Sequence, residues 1–170
     1  MQTDSSHVPW HHPAFWQEAN LTFEHLLQLH TVALVECRDI AFRLKEKLAS
    51  TFPPMDWLCR QTCPDCTDVC CQRAWVWVDF KDLLFLHLAG IAVPEQQLLS
   101  RQGERCRYFG AGGCRLDRIQ RPFVCTWYLC PSQTRLLVAQ PDEKQRLSDT
   151  LRGIKALRLQ MEDLFVQTIA

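Results

Sequence analysis

Eight cysteines in two short stretches of sequence constrain this chain more than any other feature. Four of them fall within nine residues, and the other four follow further along the chain. They are Cys63, Cys66, Cys70, Cys71, Cys106, Cys114, Cys125 and Cys130. Thiolates at close range repel one another and free thiols oxidise, so such clustering indicates disulfides, a structural metal or an iron–sulfur cluster. Distant thiols can share a metal only if the fold brings their loops together, so we expect the two stretches to touch.

The length and the N-terminal sequence argue against disulfides. A chain of 170 residues with 47% apolar content can bury a core without covalent staples. The segment 1–16 has neither a basic start nor an apolar stretch, so it does not read as a signal peptide. No stretch approaches the ~18 apolar residues of a membrane span. We therefore expect a cytoplasmic, reducing environment and metal binding in place of disulfides.

Formal charge argues against two classes of partner. The chain has 19 basic and 19 acidic residues, so neither a nucleic acid nor an anionic membrane is an expected partner. Six arginines nevertheless lie between Arg101 and Arg121. They form either a solvated surface or a set of cations that offsets the negative charge of metal-bound thiolates.

Helical periodicity frames the cysteines and predicts a single domain, residues 1–170, of the mainly α class. A long N-terminal helix is expected over 13–50, with Pro53-Pro54 as its stop, and a C-terminal helix over 141–168. The core between them, 59–130, is expected to consist of irregular cysteine-rich metal-binding loops with one short β-hairpin. The apolar stripe of the last helix includes either Leu157 or Arg158.

Shorter elements are predicted between these helices. Alternation over Ala74–Val78 favours a strand, and Thr134–Gln140 is a second candidate strand. Asp79 is expected to cap a helix that Gly90 ends, and Pro94 to open another that reaches about Arg101. Three further residues with metal-ligating side chains are interpreted as core packing, because they lie on or beside apolar helical stripes. They are His30, Cys37 and His87.

The spacing within each cysteine group adds geometric expectations. Cys63-x2-Cys66 is the loop that lets two sulfurs converge on one centre. Adjacent side chains diverge on most backbones, so only one of Cys70 and Cys71 is expected to be essential for the first metal. Glycines at 110, 112 and 113 favour a tight turn that brings Cys106 and Cys114 face to face.

Two prolines flank the remaining thiols. Pro122 is expected to start a helical turn bearing Cys125, and Pro131 to keep a helix from continuing past Cys130. Cys59 and Cys37 are expected to be dispensable for metal binding. Several aromatic side chains flank the cysteines and would shield a metal site from water. They are Trp75, Trp77, Tyr108, Phe109, Phe123, Trp127 and Tyr128.

The order of these motifs resembles that of the bacterial YkgJ-type family, described as a zinc- or iron-chelating domain with a CxxCxxCC-like pattern. The matching elements are Cys63, Cys66, Cys70 and Cys71, then Cys106 with Tyr108-Phe109, Cys114 with Leu116, and Arg121-Pro122 with Cys125. The chain departs from the family pattern in having Thr67-Asp68-Val69 before the cysteine pair, Thr126 after Cys125, and additional thiols at Cys59 and Cys130.

The resemblance implies metal chelation, with the eight clustered cysteines as candidate ligands. All-sulfur donors select zinc, an iron–sulfur cluster such as [4Fe–4S], or copper(I), and we favour the iron–sulfur cluster slightly over zinc. The motif is also similar to that of flagellin lysine N-methylases, which suggests a metal-dependent protein-modifying enzyme as the alternative. The sequence itself contains no nucleophile–base pair and no acidic dyad, so it defines neither a reaction nor a protein partner.

Overall fold

The computed structural model describes residues 8–64, 66–72, 75–111 and 113–170. Residues 1–7, Ala74 of the expected strand and Gly112 of the glycine turn lie outside these ranges. The described residues form six α-helices and one antiparallel hairpin, which confirms the mainly α class. In chain order the elements are α1 (Pro13–Leu29), α2 (Val35–Thr62), α3 (Phe80–Leu88), β1 (Phe109–Gly110), β2 (Gly113–Cys114), α4 (Val124–Trp127), α5 (Pro131–Val138) and α6 (Pro141–Ile169).

The single helix expected over 13–50 is in fact two helices. α1 ends at Leu29, a turn follows, and α2 begins at Val35. Thr31 lies in this turn, and its hydroxyl donates to the carbonyls of Leu27 and Gln28, both at 2.9 Å. A threonine side chain that bonds preceding carbonyls competes with the regular helical ladder, which gives a local reason for the break.

The expected stop at Pro53-Pro54 is also wrong, because α2 continues through both prolines to Thr62. Proline inside a helix costs about 3 kcal/mol, since it has no N–H to donate and its ring crowds the preceding turn. Burial after the prolines opposes this cost. Met55 and Leu58 pack in a small cluster with Leu137 of α5 and Leu147 of α6. Tertiary packing therefore overrides the local signal.

Two further predictions are wrong for the described residues: the strand expected up to Val78 and the short helix expected to start at Pro94 do not form. Residues 75–79 and 91–101 have no regular secondary structure. The buried Gln97 side chain joins the two segments, accepting from the Val78 N–H at 2.8 Å and donating to its carbonyl at 3.0 Å. The Gln97 amide thus forms the two hydrogen bonds that a neighbouring strand would otherwise supply, so the buried N–H and carbonyl of Val78 both have partners.

Helix α3 follows its sequence signals closely. Asp79 and Asp82 form a reciprocal capping box, and Gly90 follows the helix with φ +62°, as the predicted cap and stop require. The helix is buried along most of its length. It therefore runs through the middle of the domain, where it contacts α1, α2 and α6.

The C-terminal half contains one confirmed prediction and one error. α6 spans Pro141–Ile169, close to the expected 141–168, and it buries Arg158 while Leu157 is only half-buried. Residues 134–138, expected in a strand, belong to helix α5. The helix begins at Pro131, and Cys130 and Gln133 cap it reciprocally, so these local start signals prevail over the strand pattern.

The longest interface in the described chain is that between α2 and α6. These two helices, with α1 and α3, enclose the main apolar core. Cys106 belongs to this core, and Cys71 and Cys114 pack against it. No helix among the described residues has the length and apolarity to cross a membrane.

Candidate functional site

The hairpin places Cys106 and Cys114 beside each other, as the glycine turn predicts. β1 and β2 pair with Phe109 opposite Cys114, and Gly113 has φ +105°, a conformation that favours glycine. Burial raises the pKa of the Cys106 thiol, and the nearby Cys114 thiol raises it further. The hairpin therefore holds two sulfurs of one segment next to each other.

The two cysteine-rich stretches touch through the backbone. The N–H of Cys106 donates to the carbonyl of Cys71 at 2.9 Å, which confirms the expected contact between the loops. The thiol of Cys71 lies close enough to those of Cys106 and Cys125 for their charges to raise its pKa. Three separate segments of chain thus bring their sulfurs to one region of the molecule.

Cys125 reaches the same region from α4. Its N–H donates to the Pro122 carbonyl at 2.9 Å, so the predicted turn after Pro122 is confirmed. Burial raises the pKa of the Cys125 thiol, and the charges of Cys114 and Cys106 add to the increase. We call Cys70, Cys71, Cys106, Cys114 and Cys125 the thiol centre.

Cys70 and Cys71 lie in a short 3₁₀ turn, Cys70–Gln72, and their side chains interact. The expectation that they diverge is therefore wrong. A hydrogen bond from the Cys71 thiol lowers the pKa of Cys70 to about 6, and the same bond raises the pKa of Cys71. Cys70 is exposed whereas Cys71 is half-buried, so the two thiols differ in both acidity and access.

A second group of thiols lies beside the thiol centre. Cys59 and Cys63 are one helical turn apart at the end of α2, and their thiols interact. Burial and the charge of Cys59 raise the pKa of Cys63 to about 11. Gln133 joins this pair to Cys130, because its side chain donates to the Cys59 sulfur at 3.7 Å and its N–H to the Cys130 sulfur at 3.5 Å.

Cys63 also connects the two groups, since the charge of Cys70 contributes to its raised pKa. Cys66 is half-buried, and its N–H donates to the Cys63 carbonyl at 3.2 Å in the predicted turn. The thiols of the second group thus continue from the thiol centre toward the start of α5. The helical spacing of Cys59 and Cys63 is the signal that would have found Cys59 from sequence.

Three of the six clustered arginines act on thiols, which favours the charge-compensation interpretation. Arg115 and Arg121 lower the pKa values of Cys106 and Cys125 against the effect of burial. Arg118 donates to the Cys59 sulfur at 3.7 Å and pairs with Asp56 at 2.5 Å. Cations at these positions stabilise thiolates over thiols.

A buried charge network connects the start of α4 to α3 and α6. Asp82 of α3 and Arg158 of α6 form an ion pair, and the Phe123 N–H donates to the Asp82 carboxylate at 3.0 Å. Arg158 also pairs with Asp79 at 3.0 Å and lies 4.9 Å from the centre of the Phe123 ring. Burial raises the pKa of Asp82 to about 6, against the lowering effect of Arg158. The sequence named Arg158 only as an alternative to Leu157 in the stripe of the last helix, and it predicted no role for Asp82.

The predictions for the aromatic residues and for the three residues expected to pack in the core are confirmed only in part. Trp75, Trp127 and Tyr128 are 66%, 47% and 46% exposed, so these three do not shield the thiol centre as expected. Cys37 is fully buried, which confirms its place in the core. His87 is half-buried, bonds to Asn20 at 2.8 Å and stacks on Phe23. His30 is half-buried at the end of α1 and not in a core stripe.

The donor set suits a soft metal, but the sulfurs are not arranged around a single point. All ten cysteines carry free thiols. Within the described ranges no three His, Cys, Asp or Glu side chains converge at metal-binding geometry. All-thiolate surroundings match zinc and iron–sulfur chemistry, so the residues fit such a group by donor type. Binding would require the thiols to close further around the metal.

No family model, curated protein or solved structure matches this chain. The class of this protein is therefore described from its fold and its site alone. It is a small, mainly α domain in which separate segments of chain bring free thiols together beside a helical core.

Proposed function

We propose that this protein binds an iron–sulfur cluster or a zinc ion through its clustered cysteines. The observation that carries the proposal is the thiol centre, where Cys71, Cys106 and Cys125 come together from separate segments without forming disulfides. The raised pKa values of these three thiols keep them protonated, and a metal ion or cluster would bind them as thiolates with release of those protons. The resemblance to YkgJ-type chelating domains supports the same function.

The second thiol group supports more than one metal centre over a single zinc ion. A structural zinc ion uses four ligands, whereas the two adjoining groups contain eight or more thiols. A [2Fe–2S] or [4Fe–4S] cluster also takes four cysteine ligands, so the thiols of the two groups suffice for two centres. Binding of this kind takes place in a reducing compartment, where the thiols stay free. The lysine N-methylase alternative has no comparable support among the described residues.

Purification under anaerobic conditions followed by elemental analysis tests the proposal. We expect iron with acid-labile sulfide, and visible absorption that is lost on exposure to air, or else stoichiometric zinc. Cys106→Ser and Cys125→Ser are expected to lower the metal content, while Cys37→Ser serves as the matched control in the core. Protein that contains neither iron nor zinc above background, even after reconstitution with iron and sulfide, would overturn the proposal.

A further inference from the structure

A small pocket lies between the segment that precedes α3 and the segment that forms α4. Four aromatic residues line it, two from each segment, together with Val124 and three charged residues. The aromatic residues are Trp75, Trp77, Phe123 and Trp127, and the charged residues are Asp79, Asp82 and Arg158. We call it the aromatic pocket. Aromatic walls around a few charged groups are typical of a site for a small molecule.

Hydrogen bonds from buried side chains hold both walls of the aromatic pocket. Gln97 bonds to the N–H and the carbonyl of Val78, next to Trp77, at 2.8 and 3.0 Å. Asp82 accepts the N–H of Phe123 at 3.0 Å on the opposite wall. Gln97 and Asp82 are only 1% and 6% exposed. The pocket is therefore formed without a ligand, which reduces the entropy that binding would cost.

The tryptophans of the aromatic pocket retain surface that a ligand can cover. Trp75 and Trp127 are largely open to solvent, and Trp77 is half-buried. The face of an indole ring is electron-rich, and it attracts a cation that comes within ~6 Å of the ring centre more strongly than any other side-chain ring does. Three tryptophans around one pocket therefore favour a positively charged ligand.

The charges of the aromatic pocket favour the same kind of ligand. Asp79 and Asp82 share the guanidinium of Arg158, and within the described ranges neither has a second ion-pair partner. Two negative charges against one positive leave one negative charge in excess. Arg158 and Asp82 are buried, whereas the Asp79 side chain is 40% exposed, so the excess charge can be reached at Asp79. The neighbouring cations Lys81 and Lys155 line the adjoining groove along α6 and not this pocket.

The same features distinguish between classes of ligand. An anion would meet the excess negative charge, and an uncharged ring would cover the Asp79 carboxylate without compensating it. A primary ammonium is strongly hydrated and has three N–H donors, for which the indole walls supply no acceptor oxygen. A quaternary ammonium has no N–H, and its charge is spread over methyl groups that pack on aromatic rings.

We infer that the aromatic pocket binds a quaternary ammonium group, with its methyl groups against the indoles of Trp75, Trp77 and Trp127 and its charge beside Asp79. The group belongs either to a choline-type small molecule or to a trimethylated lysine side chain. This site uses no thiol, so it does not depend on the metal binding proposed above.

Calorimetric titration of the full chain with two pairs of probes tests the inference. Choline is compared with 3,3-dimethylbutan-1-ol, which has the same shape with carbon in place of the charged nitrogen. The trimethyllysine amide, acetylated at its α-nitrogen, is compared with the unmethylated lysine derivative. We expect 1:1 binding of at least one quaternary probe, roughly tenfold or more tighter than its counterpart. The two pairs distinguish a small molecule from a modified side chain. Equal affinity within both pairs, or no binding of either quaternary probe at millimolar concentration, would overturn the inference.

Matched variants locate the binding. Trp75→Leu removes one wall at an exposed position and should weaken binding about fivefold or more, whereas Phe42→Leu, 52% exposed on α2, should leave it unchanged. Asp79→Asn removes the accessible charge and keeps a side chain that can cap α3, so it should also weaken binding. Asp39→Asn, at an exposed position of α2, is its control. Circular dichroism checks the fold of each variant. Equal effects within either pair of variants would contradict the inference.

Discussion

The carboxylate of Asp82 ties two parts of the molecule together, because it pairs with Arg158 of α6 and accepts the N–H of Phe123 at the start of α4. Both side chains of the pair are nearly inaccessible, with 7% and 6% exposure. The segment that carries Cys125 is thus fixed to the helical core by a buried charge. The position of the thiol centre depends on this attachment.

Replacing Arg158 by Met should be strongly destabilising. It would leave Asp82 buried without its cation, which typically costs about 3–5 kcal/mol of the free energy of unfolding. Alkylation of Cys125, read by mass spectrometry in metal-free protein, should also become faster as α4 loosens. Urea unfolding measures the loss in the free energy of unfolding.

The matched control is Glu162→Gln. This substitution breaks the Lys81–Glu162 pair, which joins the same two helices but does not touch α4. Both of its side chains are about a quarter exposed, so the loss should stay below about 1 kcal/mol. Similar losses in the two variants would contradict the special role of the buried pair.

Cys70 should be the thiol that alkylates fastest near neutral pH in metal-free protein. The Cys71 hydrogen bond lowers its pKa to about 6, so the reactive thiolate is abundant above pH 6 and is lost as the pH falls through that value. The Cys70 rate is expected to reach half its maximum near pH 6. In Cys71→Ala the donor is gone, and the half-maximum should move upward.

Cys37→Ala is the control for this measurement, because Cys37 is buried in the core away from the pair. Its rate profile at Cys70 should match that of the wild type. A profile that stays near pH 6 in Cys71→Ala would show that another group sets the acidity of Cys70.

Serine replacements should separate the thiols by their importance for metal. Serine preserves approximate size and removes the soft ligand. Because Cys70 is exposed with a lowered pKa whereas Cys71 is half-buried with a raised one, we expect Cys70→Ser and Cys71→Ser to differ in metal content, with one variant close to wild type. Cys37→Ser and Cys59→Ser should retain metal. Complete loss in both members of the pair would instead favour a cluster that uses every thiol of the motif.

Gln97→Ala should destabilise the domain by about 2–4 kcal/mol, because it leaves the buried N–H and carbonyl of Val78 without partners. The same amide also donates to the Pro9 carbonyl at 2.9 Å. Gln28→Ala, at an exposed position of α1, is expected to change the free energy of unfolding by less than about 0.5 kcal/mol. Thermal or urea unfolding of both variants decides the comparison.

The elements that sequence reasoning predicted correctly are those that local chemistry determines. Asp79 and Gly90 bound α3, Pro141 opens α6, and the glycine turn before Cys114 forms its hairpin. Each of these signals acts within a few residues, so it is visible without knowledge of the fold. The contact between the two cysteine-rich stretches could also be anticipated, since shared chemistry requires it.

The errors have a different origin, because they depend on residues far away in the sequence. The partners of Val78 belong to Gln97, and the helix after Pro53-Pro54 packs on Leu137 and Leu147. The sequence left open whether Leu157 or Arg158 is buried, and only the position of Asp82 explains the choice of Arg158. The interacting side chains of Cys70 and Cys71 likewise follow from the 3₁₀ turn, which adjacent positions alone do not predict.

The prolines inside α2 have a consequence for how the thiols open to solvent. Proline donates no hydrogen bond, so the ladder of α2 is weakened at residues 53 and 54, and the part beyond packs in a small cluster of its own. Amide hydrogen exchange should therefore be faster after Pro54 than before it, as in a segment that unfolds locally while the main core stays folded. The half-buried thiol of Cys59 lies on that segment, so local opening would expose it to small thiol reagents while the main core stays folded.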